Sequence, residues 1–512
     1  MTRNTTIEML PEALLDEAAY PHRCRSLTKI ETHMSWVFLT GEHAYKVKKQ
    51  VRFPFADFST GELRRFFCFE ELRLNRRFAP ATYVAALPVV ADRRNGLRIG
   101  RADEADQAVE WAVQMRQFDP TDQADHLLEA DQLSTRELYN FGQMLARQHA
   151  EIPPYLDGYD PRAPMVINFE SLAGTRSAEP YTTQLAVLRE HLDTRLQAQG
   201  TALMARRKEG FVRECHGDLH LANLVRLQNG LCAFDCLEFD ANLRNIDVMS
   251  DTGFLFMDFL VRGRSDLGYA FIDGYLNYSG DYEGTALLPL FTEYRAMVRT
   301  KVAALRLDQT PDDTATAAKL HQHIDWTTAY SQRSAGRLIV MHGVSGSGKS
   351  YWAGQLVSAL GALRLRSDVL RKVSHGLSVT ADGTAEVGES LYSSATSAEV
   401  YEHLARYAEK LLKAGETVIV DAACLQRTQR QVLYNAAVSA EAPYTLVSLT
   451  GPRAILAKRI AQRAIDGGDP SDADLNVLDR QLRNQQLPQP DEPVCALDTT
   501  TLTLEELLTR LL

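Results

Sequence analysis

The stretch RLIVMHGVSGSGKS, Arg337–Ser350, decides the fold of the second half of the chain. Its apolar run Leu338–Met341 predicts a buried strand. The next eight residues after His342, GVSGSGKS, satisfy the pattern G-x-x-x-x-G-K-[S/T] in full, and a helical pattern follows Lys349. A strand, a glycine-rich loop and a helix in this order predict a P-loop, which binds the phosphates of a nucleotide.

The residue types of this loop each have a chemical reason. Glycines let backbone N–H groups close around the phosphates, and the helix N-terminus adds its dipole. Lys349 is predicted to reach the β- and γ-phosphates of ATP or GTP and to act in catalysis, while the Ser350 hydroxyl completes the shell of a Mg²⁺ ion. The predicted nucleotide-binding residues of the loop are Gly343, Val344, Ser345, Gly346, Ser347, Gly348, Lys349 and Ser350.

The chain from residue 336 to 512 alternates strand-like and helix-like patterns, after a boundary at SQRSAG, Ser331–Gly336. Such alternation predicts an α/β domain with a mostly parallel sheet covered by helices. The predicted strands are RLIVMHGV, GALRLRSD, ETVIVDAA, YTLVSLTG and PVCALDTT.

Charged residues at strand ends are candidates for phosphoryl transfer. Asp368 lies at the end of the second predicted strand, where a carboxylate can take a proton from an acceptor hydroxyl, and Asp421 lies near the end of the third as an acid able to hold Mg²⁺ through water. Arg459 and Arg463 lie one turn apart, a spacing that suits a catalytic lid and equally an ordinary solvated helix. The predicted substrate-binding residues are Arg366, Arg371, Arg427 and Arg430.

These features resemble those of small P-loop kinases that phosphorylate hydroxyls. Gluconate kinase, zeta-toxin kinases, chloramphenicol phosphotransferase and the polynucleotide 5′-kinase domain share the element RSD after the second strand and an arginine lid. The resemblance covers residues from about 336 to 512 and implies a kinase whose acceptor is an alcohol group.

A second motif, HGDLHLAN at His216–Asn223, allows two interpretations. His216, His220 and nearby cysteines suggest a metal–thiolate site, but no second close cysteine pair completes a structural zinc pattern. A phosphate-handling loop explains more residues, because Asp218 and Asn223 have the spacing of the acid and amide in the catalytic loop of kinases. Asp235, which ends a later apolar run, falls where a second metal-binding acid is expected.

Residues from about 30 to 259 resemble the aminoglycoside phosphotransferase (APH) branch of the kinase-like fold. The resemblance assigns Asp218 as the catalytic base, and Asn223 and Asp235 as Mg²⁺ ligands. In YKVKK it favours Lys46 over Lys48 as the phosphate-binding lysine, two residues that share one face of a strand.

The partner acid of that lysine is predicted to be Glu71, with Glu70 as the second choice. The strand Glu110–Phe118 fits the segment that contacts the adenine. One departure from the family pattern is visible, since no G-x-G-x-x-G precedes Lys46. Asp247 and Asp251 resemble acids that brace the catalytic loop, and helix N-terminal acids explain them equally well.

The predicted fold class is therefore an α+β bilobal kinase-like (APH-like) domain followed by an α/β P-loop kinase domain. The predicted boundaries are an N-terminal segment at 1–27, a small sheet-rich lobe at 28–118, a large helical lobe at 119–330 and the P-loop domain at 336–512.

Composition sets the compartment and excludes some partners. Hydrophobic residues make up 45% and charged residues 24%, which is typical of a soluble protein, and no apolar run is as long as a membrane span. The N-terminal segment has acids where a signal peptide needs an apolar centre, and seven scattered cysteines suit reduced thiols, so a cytoplasmic protein is expected. The formal net charge of −10 argues against nucleic acid as a partner.

Together these patterns predict an ATP- or GTP-dependent, Mg²⁺-dependent phosphotransferase with two candidate sites, each acting on a hydroxyl of a small molecule. Two alternatives stay open. One is a nucleotide-binding regulatory protein with one inactive kinase-like half, favoured by the missing glycine-rich loop. The other is a polynucleotide 5′-hydroxyl kinase in the C-terminal domain. The sequence does not reveal the acceptor or the oligomeric state.

Overall fold

The computed structural model describes residues 3–53, 56–92, 96–157, 160–377, 379, 394–466 and 474–512. Two compact units divide the chain between them. The first unit consists of Met1–Leu133, Glu151–Tyr159 and Arg207–Asp251. The second unit consists of Ser134–Ala150, Asp160–Arg206 and Thr252–Leu512, so it holds both the helical region and the P-loop region.

The first unit is built around a six-stranded sheet in the order β1-β2-β3-β8-β6-β7, with every neighbouring pair antiparallel. The helix α2 (Gly61–Asn75) packs on β6 and β8. Thr60 begins this helix as its N-cap, because its hydroxyl accepts from the Leu63 amide. The six strands are β1 (Thr28–Glu31), β2 (Ser35–Leu39), β3 (His43–Lys48), β6 (Tyr83–Asp92), β7 (Gly96–Ile99) and β8 (Ala108–Arg116). The short strands β4 (Arg52–Phe53) and β5 (Ala56–Asp57) pair with each other in a separate two-stranded sheet.

The remainder of the first unit contains the segment His216–Asn223, here called the HGD loop, between short strands. β10 (Leu224–Leu227) and β11 (Gly230–Ala233) form a hairpin directly after the loop. The other elements of this unit are α1 (Arg3–Ala13), α3 (Ala124–Glu129), β9 (Val212–Glu214), α7 (Ala241–Arg244) and β12 (Asn245–Asp247), which pairs with β9.

The N-terminal segment, predicted only as a separate stretch, packs into the core of this sheet. Leu10, Leu14 and Tyr20 are buried in one cluster with residues of β2, β3, β6, β7 and β8. Tyr20 also donates a hydrogen bond from its hydroxyl to the Leu14 carbonyl oxygen at 2.6 Å. Three apolar side chains buried against a sheet explain why this short segment is ordered.

The substitution Leu14→Ala is therefore expected to lower the free energy of unfolding by about 2–5 kcal/mol, because it leaves a cavity in a packed core. The matched control is Leu15→Ala. Leu15 is 44% exposed, whereas Leu14 is fully buried, so the control is expected to change stability by no more than about 0.5 kcal/mol. Urea unfolding of the three proteins measures both effects. Equal losses in the two variants would contradict the packing described here.

The second unit begins with a layer of helices. Gly274 lets α9 approach α4 closely, since a Cβ there would lie 2.0 Å from the Tyr139 carbonyl oxygen. The helices that lie wholly or mostly in this unit are α4 (Thr135–Glu151), α5 (Ala163–Ala173), α6 (Thr182–Lys208), α8 (Val248–Val261), α9 (Ser265–Ser279), α10 (Leu288–Gln309) and α11 (Thr314–Ser331), and the first turn of α8 belongs to the first unit.

The P-loop region contains a five-stranded sheet in the order β14-β15-β13-β16-β17, and all of its neighbouring strands are parallel. The strands are β13 (Leu338–His342), β14 (Ala362–Arg366), β15 (Thr417–Asp421), β16 (Tyr444–Thr450) and β17 (Val494–Asp498). The helices are α12 (Lys349–Leu360), α13 (Ser367–Ser374), α14 (Ser394–Lys413), α15 (Arg427–Ser439), α16 (Arg453–Asp466), α17 (Leu475–Asn484) and α18 (Leu504–Leu511).

All five strands predicted for this region are present, and the parallel sheet confirms the predicted α/β class. The carboxyl ends of parallel strands meet at one edge, which places the ends of β13, β14 and β15 together. The two compact units do not test the predicted domain boundaries, which therefore stay a prediction. Among the described helices, none combines the length and apolarity that a bilayer-crossing segment needs.

Candidate active sites

The P-loop lies between β13 and α12 and requires its glycines. Gly343, Gly346 and Gly348 have φ values of 145°, 79° and 88°, in the region that L side chains rarely adopt. A Cβ at Gly343 would lie 2.6 Å from the Leu449 carbonyl oxygen, and one at Gly346 would lie 2.5 Å from that of Leu456. The backbone therefore closes into a cradle that only this spacing of glycines permits.

Lys349 and Ser350 lie at the start of α12 with partners that suit a nucleotide site. Lys349 Nζ donates to the Val344 carbonyl oxygen at 2.9 Å. Ser350 Oγ donates to Asp421 Oδ1 at 3.1 Å. A hydroxyl and a carboxylate within one hydrogen bond form the hard-oxygen donor set that Mg²⁺ prefers, so these residues fit the ion implied by the motif.

Asp368 is the second residue of α13, directly after β14. Its Oδ1 accepts from Arg371 Nη1 at 3.1 Å, and 29% of its side chain is exposed. Because β14 neighbours β15 and β15 neighbours β13, Asp368 follows the same sheet edge that carries Asp421 and the P-loop. The predicted base thus combines solvent access with a cationic neighbour.

The predicted substrate arginines occupy different environments. Arg371 is buried beside Asp368. Arg366 is also buried, and its Nε lies 3.4 Å from Asp421 Oδ2. Arg427 pairs with Asp491 on the surface.

The assignment of Arg430 to a substrate is contradicted by its surroundings. Arg430 is 1% exposed, and its guanidinium donates to both carboxylate oxygens of Glu492. It also donates to the carbonyl oxygens of Cys424 and Gln486 at 3.1 and 2.9 Å. A fully enclosed guanidinium with these acceptors joins α15 to the segment before β17, so it is a core residue.

The predicted lid arginines lie on α16. Arg459 Nη1 donates to Thr499 Oγ1 at 2.8 Å and contacts the Gly346 carbonyl oxygen at 3.4 Å. It therefore touches the P-loop itself. The side chain of Arg463 lies outside the described residues.

His342, the last residue of β13, gives the P-loop region a pH dependence. Burial, reinforced by the nearby charges of Arg430 and Lys349, lowers the pKa of His342 from its usual 6.5 to about 4. The folded state therefore favours the neutral ring, and the stability it contributes is complete above pH 6.5 and is lost as the pH falls towards 4.

The expected loss from this residue is roughly 3 kcal/mol between pH 6.5 and pH values below 4. His342→Gln retains a partner for Ser448 Oγ, which lies 2.9 Å from His342 Nδ1, and removes the titration. Urea unfolding across this pH range is expected to show a flatter profile for the variant than for the wild type. Parallel profiles would contradict the assignment.

In the first unit, the HGD loop is held by a buried carboxylate. Asp251 accepts from the backbone amides of His216 and Gly217 at 3.1 and 2.8 Å. Asp247 instead accepts from the Met249 amide at 2.8 Å, at the start of α8. Asp251 therefore fits both interpretations, because it braces the loop and lies in the first turn of α8, while the contact of Asp247 is at the start of that helix.

His216 fixes the loop from its other side. Its Nε2 lies 2.9 Å from the Phe234 carbonyl oxygen, and burial lowers the pKa of its ring. A neutral, enclosed imidazole is a structural brace in this position. Cys236 lies alongside, with its Sγ 3.3 Å from the His216 carbonyl oxygen.

Asp218 and Asn223 come together as the motif predicts. Asn223 Nδ2 donates to the Asp218 carbonyl oxygen at 2.9 Å and to its Oδ2 at 3.1 Å. Asn223 is buried, whereas 39% of the Asp218 side chain is exposed. His220 Nε2 lies 3.4 Å from the same Oδ2. The carboxylate is therefore oriented by its neighbours and open to a ligand.

Asp235 has the strained backbone that functional residues often show, with a φ of 60°. Its amide donates to the Tyr83 hydroxyl at 3.0 Å, and its Oδ1 accepts from Lys46 Nζ at 2.6 Å. The structure thus joins two residues that are 189 positions apart in the sequence. Asp218, Asn223 and Asp235 together offer two carboxylates and an amide, whose oxygens are ligands that fit Mg²⁺.

Glu71 binds both lysines of β3. Its Oε1 lies 2.9 Å from Lys46 Nζ and its Oε2 lies 2.8 Å from Lys48 Nζ. Burial raises the pKa of Glu71, but the two ammonium groups outweigh it and hold the pKa at about 2. Lys48 also pairs with Glu238, and Glu70 pairs with Arg73 instead.

These contacts separate the two lysines. Lys46 faces Asp235 of the candidate site, and although burial lowers its pKa, the carboxylates of Asp235 and Glu71 hold the pKa well above its usual value. Lys48 lies between Glu71 and Glu238, two buried acids. Lys46 is therefore the lysine on the side of the candidate catalytic residues.

A cavity of about 450 Å³ opens beside these residues. That volume lies within the range of small-ligand pockets, roughly 300–1,000 Å³. Met115–Phe118, at and after the end of β8, line it, as expected for the strand predicted to contact the adenine. So do Lys46, Asp218 and Asp235. The turn Thr32–Met34 between β1 and β2 lines it as well and contains no glycine.

Sequence analysis missed several residues at these sites. Glu238, which pairs with Lys48, has no motif of its own and follows Asp235 by three positions. Asp273, Asn277 and Tyr282 contact the arginines of β14 from the helical region of the second unit. The sequence signal that could have indicated these contacts is the presence of the polar residues Asp273 and Asn277 within the largely apolar pattern of α9.

Comparison with known proteins finds a family that is similar to part of the chain. Residues 338–488 match the AAA domain family. The match begins in β13 and spans the P-loop, Asp368 and Asp421. With the complete phosphate cradle, it confirms the predicted P-loop domain and supports the predicted enzyme class, a phosphotransferase.

Relatives exist over most of the chain. An uncharacterized protein of Mycobacterium tuberculosis is 29% identical over 453 residues, covering 87% of this chain and 88% of its own length, and one of Mycobacterium bovis matches equally.

Solved structures are similar to each part. A choline/ethanolamine kinase family protein from Mesorhizobium loti covers 62% of this chain and 99% of its own, at 12% identity and a TM-score of 0.39. A sugar kinase from a Janibacter species covers 34% and 92%, at 25% identity and a TM-score of 0.28. A gluconokinase from Sinorhizobium meliloti covers 35% and 90%, at 23% identity and a TM-score of 0.25.

Proposed function

We propose that the P-loop region transfers the γ-phosphoryl group of ATP or GTP to a hydroxyl of a small molecule. The observation that carries this proposal is the complete P-loop, with Ser350 hydrogen-bonded to Asp421 and with Asp368 following the same sheet edge. A P-loop alone does not define the reaction. A partly exposed carboxylate at the sheet edge, Asp368, supplies the base that transfer to a hydroxyl needs.

In this reaction Asp368 accepts the proton of the acceptor hydroxyl while the acceptor oxygen forms a bond to the γ-phosphorus. The bond from that phosphorus to the bridging oxygen breaks, and a nucleoside diphosphate leaves. Lys349 turns from the Val344 carbonyl oxygen to the phosphates. Ser350 and Asp421 would hold Mg²⁺, which neutralises phosphate charge when bound. Arg371 and Arg459 lie close enough to Asp368 and the P-loop to orient charged groups.

We propose a second phosphotransferase site in the first unit, with Asp218 as base. Lys46 and Glu71 would place the phosphates of the donor, and Asn223 and Asp235 would hold Mg²⁺. The cavity beside them supports this proposal because its lining joins the β8 end to Asp218 and Asp235. The acceptor is again a small molecule with a hydroxyl. The seven free thiols suit a reducing compartment, the cytoplasm.

One observation favours a second function for the first unit. The turn Thr32–Met34 replaces the glycine-rich loop that covers the phosphates in other kinases, and Thr32 Oγ1 ties it down by accepting from the Ser35 amide at 2.9 Å. Such a unit can bind a nucleotide and regulate without transferring phosphate. Nucleotide that binds but is never consumed would support this alternative.

A product screen tests the proposal directly. The purified protein is incubated with a small-metabolite extract and ATP labelled in the γ-phosphate, and labelled products are separated and identified. The wild type is expected to give labelled products that Asp368→Ala or Asp218→Ala removes selectively. Products that persist in both single variants would show that neither carboxylate is the base.

A further inference from the structure

Three polar side chains of the helical region contact strand β14 of the P-loop region. Asp273 and Asn277 lie one turn apart on α9, which packs against α12 and β14, and Tyr282 follows shortly after the helix. Their partners are Arg364 and Arg366. All five side chains are buried, and all five belong to the second unit.

Asp273 and Arg364 form a two-point ion pair. Arg364 Nε donates to Asp273 Oδ1 at 2.9 Å, and Nη2 donates to Oδ2 at 2.7 Å. Burial alone would lower the pKa of Arg364, but the carboxylates of Asp273 and Asp421 hold the pKa above its usual value. The planar fork of arginine fixes the geometry of such a pair more tightly than a lysine would.

The same guanidinium continues to the nucleotide site. Arg364 Nη1 donates to the Ser350 carbonyl oxygen at 3.1 Å and lies 3.7 Å from Asp421 Oδ2. Ser350 and Asp421 are the two residues proposed to hold Mg²⁺. Arg364 therefore joins Asp273 to both of them in one step.

Arg366, the next but one residue of β14, also links the helical region to Asp421. Its Nε lies 3.4 Å from Asp421 Oδ2, and its Nη1 donates to Asn277 Oδ1. Its backbone amide donates to the Tyr282 hydroxyl at 3.1 Å. Both arginines therefore lie within 3.7 Å of Asp421 Oδ2, while Oδ1 of the same carboxylate accepts from Ser350 Oγ.

We propose that Asp273 is a positioning residue of the P-loop site. Through Arg364 it fixes the Asp421 carboxylate and the backbone at Ser350, so a helix outside the P-loop region is a working part of the Mg²⁺–nucleotide site. The proposal rests on the proposed function of that site. Residues behind the direct ligands commonly orient them, and their loss lowers metal affinity or activity by about 10- to 100-fold.

The test compares Asp273→Asn with the wild type in the binding of a fluorescent ATP analogue to the full chain, and both proteins carry Lys46→Met, which removes the lysine that faces Asp235 in the candidate site of the first unit. The analogue is titrated in EDTA and then across Mg²⁺ concentrations. The variant is expected to need about 10- to 100-fold more Mg²⁺ for half of the Mg²⁺-induced gain in binding. Its affinity in EDTA is expected to stay within about twofold, because the glycine cradle does not touch Asp273.

Asp266→Asn is the matched control, since Asp266 lies on the same helix but pairs with Arg264 at its partly exposed end. This control is expected to leave the Mg²⁺ midpoint unchanged. Thermal unfolding of each variant is measured first, so that binding is compared at a temperature at which every variant is folded. If Asp273→Asn does not fold, Asp273→Glu keeps the charge and displaces it, and a raised midpoint is again expected.

An unchanged Mg²⁺ midpoint in a folded Asp273 variant would overturn the proposal and leave the ion pair as a docking contact. The proposal would also be overturned if the affinity of the wild type for the ATP analogue did not depend on the Mg²⁺ concentration. The proposed function fails by a different result. A wild type that binds Mg²⁺–nucleotide but transfers no phosphoryl group refutes phosphotransfer, while a raised midpoint in the variant still supports the positioning role.

Discussion

Asp368→Asn is expected to lower the turnover of the P-loop site by roughly 10²- to 10⁴-fold, the usual contribution of a general base. Asparagine retains the size of the side chain but cannot take the proton of the acceptor hydroxyl. The nucleotide cradle lies in the loop 343–350, which the substitution leaves intact. The affinity for Mg²⁺–nucleotide is therefore expected to change by no more than about twofold, so that the loss appears in kcat.

Two further variants make this result specific. Lys349→Met removes the cation proposed to contact the phosphates, so it is expected to lower nucleotide affinity as well as turnover. Asp479→Asn removes an acid of the same region that only pairs with Arg453 on the surface. Such pairs contribute little, and this control is expected to behave as the wild type. Full turnover in Asp368→Asn would exclude this residue as the base.

Asp218→Asn is expected to cause a loss of the same size, roughly 10²- to 10⁴-fold, in the reaction of the first unit. The substituted amide keeps a hydrogen-bonding partner for Asn223, whose Nδ2 lies 3.1 Å from Asp218 Oδ2. The loop is therefore expected to keep its shape. Steady-state rates with the acceptor of this site measure the effect, and the reaction of the P-loop site serves as the internal reference.

Asp240→Asn is the matched control for Asp218→Asn. Asp240 accepts from the Asn242 amide at 2.8 Å at the start of α7, and an asparagine can accept there as well. This control is expected to leave both reactions unchanged. If Asp218→Asn also leaves both unchanged while nucleotide still binds to the first unit, the regulatory alternative replaces the proposed second reaction.

The parts of the fold that sequence predicted are those with local patterns. The strands of the P-loop sheet are short segments rich in apolar residues, with arginines alternating in β14, and the loop 343–350 has a spacing that few other structures need. The HGD loop was predicted for the same reason, because Asp218 and Asn223 are five residues apart. The structure brings the two side chains within 3.1 Å of each other.

The parts that sequence did not predict depend on contacts between distant segments. The N-terminal segment packs on a sheet formed much later in the chain, and α9 supplies Asp273 to Arg364 across 91 positions. The periodicity of a helix indicates which of its faces is buried, but it does not indicate which distant residue contacts that face. Arg430 shows the converse, since its place near a strand end suggested a substrate contact while Glu492 encloses it.

Lys46 and Lys48 show where a pattern reaches its limit. Residues two apart on a strand share a face, so spacing alone could not distinguish them, and Glu71 indeed contacts both. The distinction comes from the opposing acids. Asp235 meets Lys46 and Glu238 meets Lys48, and both acids lie in a segment whose path no local pattern reveals.

The central claim, that this chain transfers phosphoryl groups through two carboxylates, is tested most directly with the double variant Asp218→Ala/Asp368→Ala. Transfer of labelled γ-phosphate to the acceptors found with the wild type is measured at saturating nucleotide and Mg²⁺, with folding verified by thermal unfolding. A folded double variant is expected to retain nucleotide binding and to transfer phosphate roughly 10²- to 10⁴-fold more slowly than the wild type in both reactions. Transfer at the wild-type rate in that variant would contradict the claim.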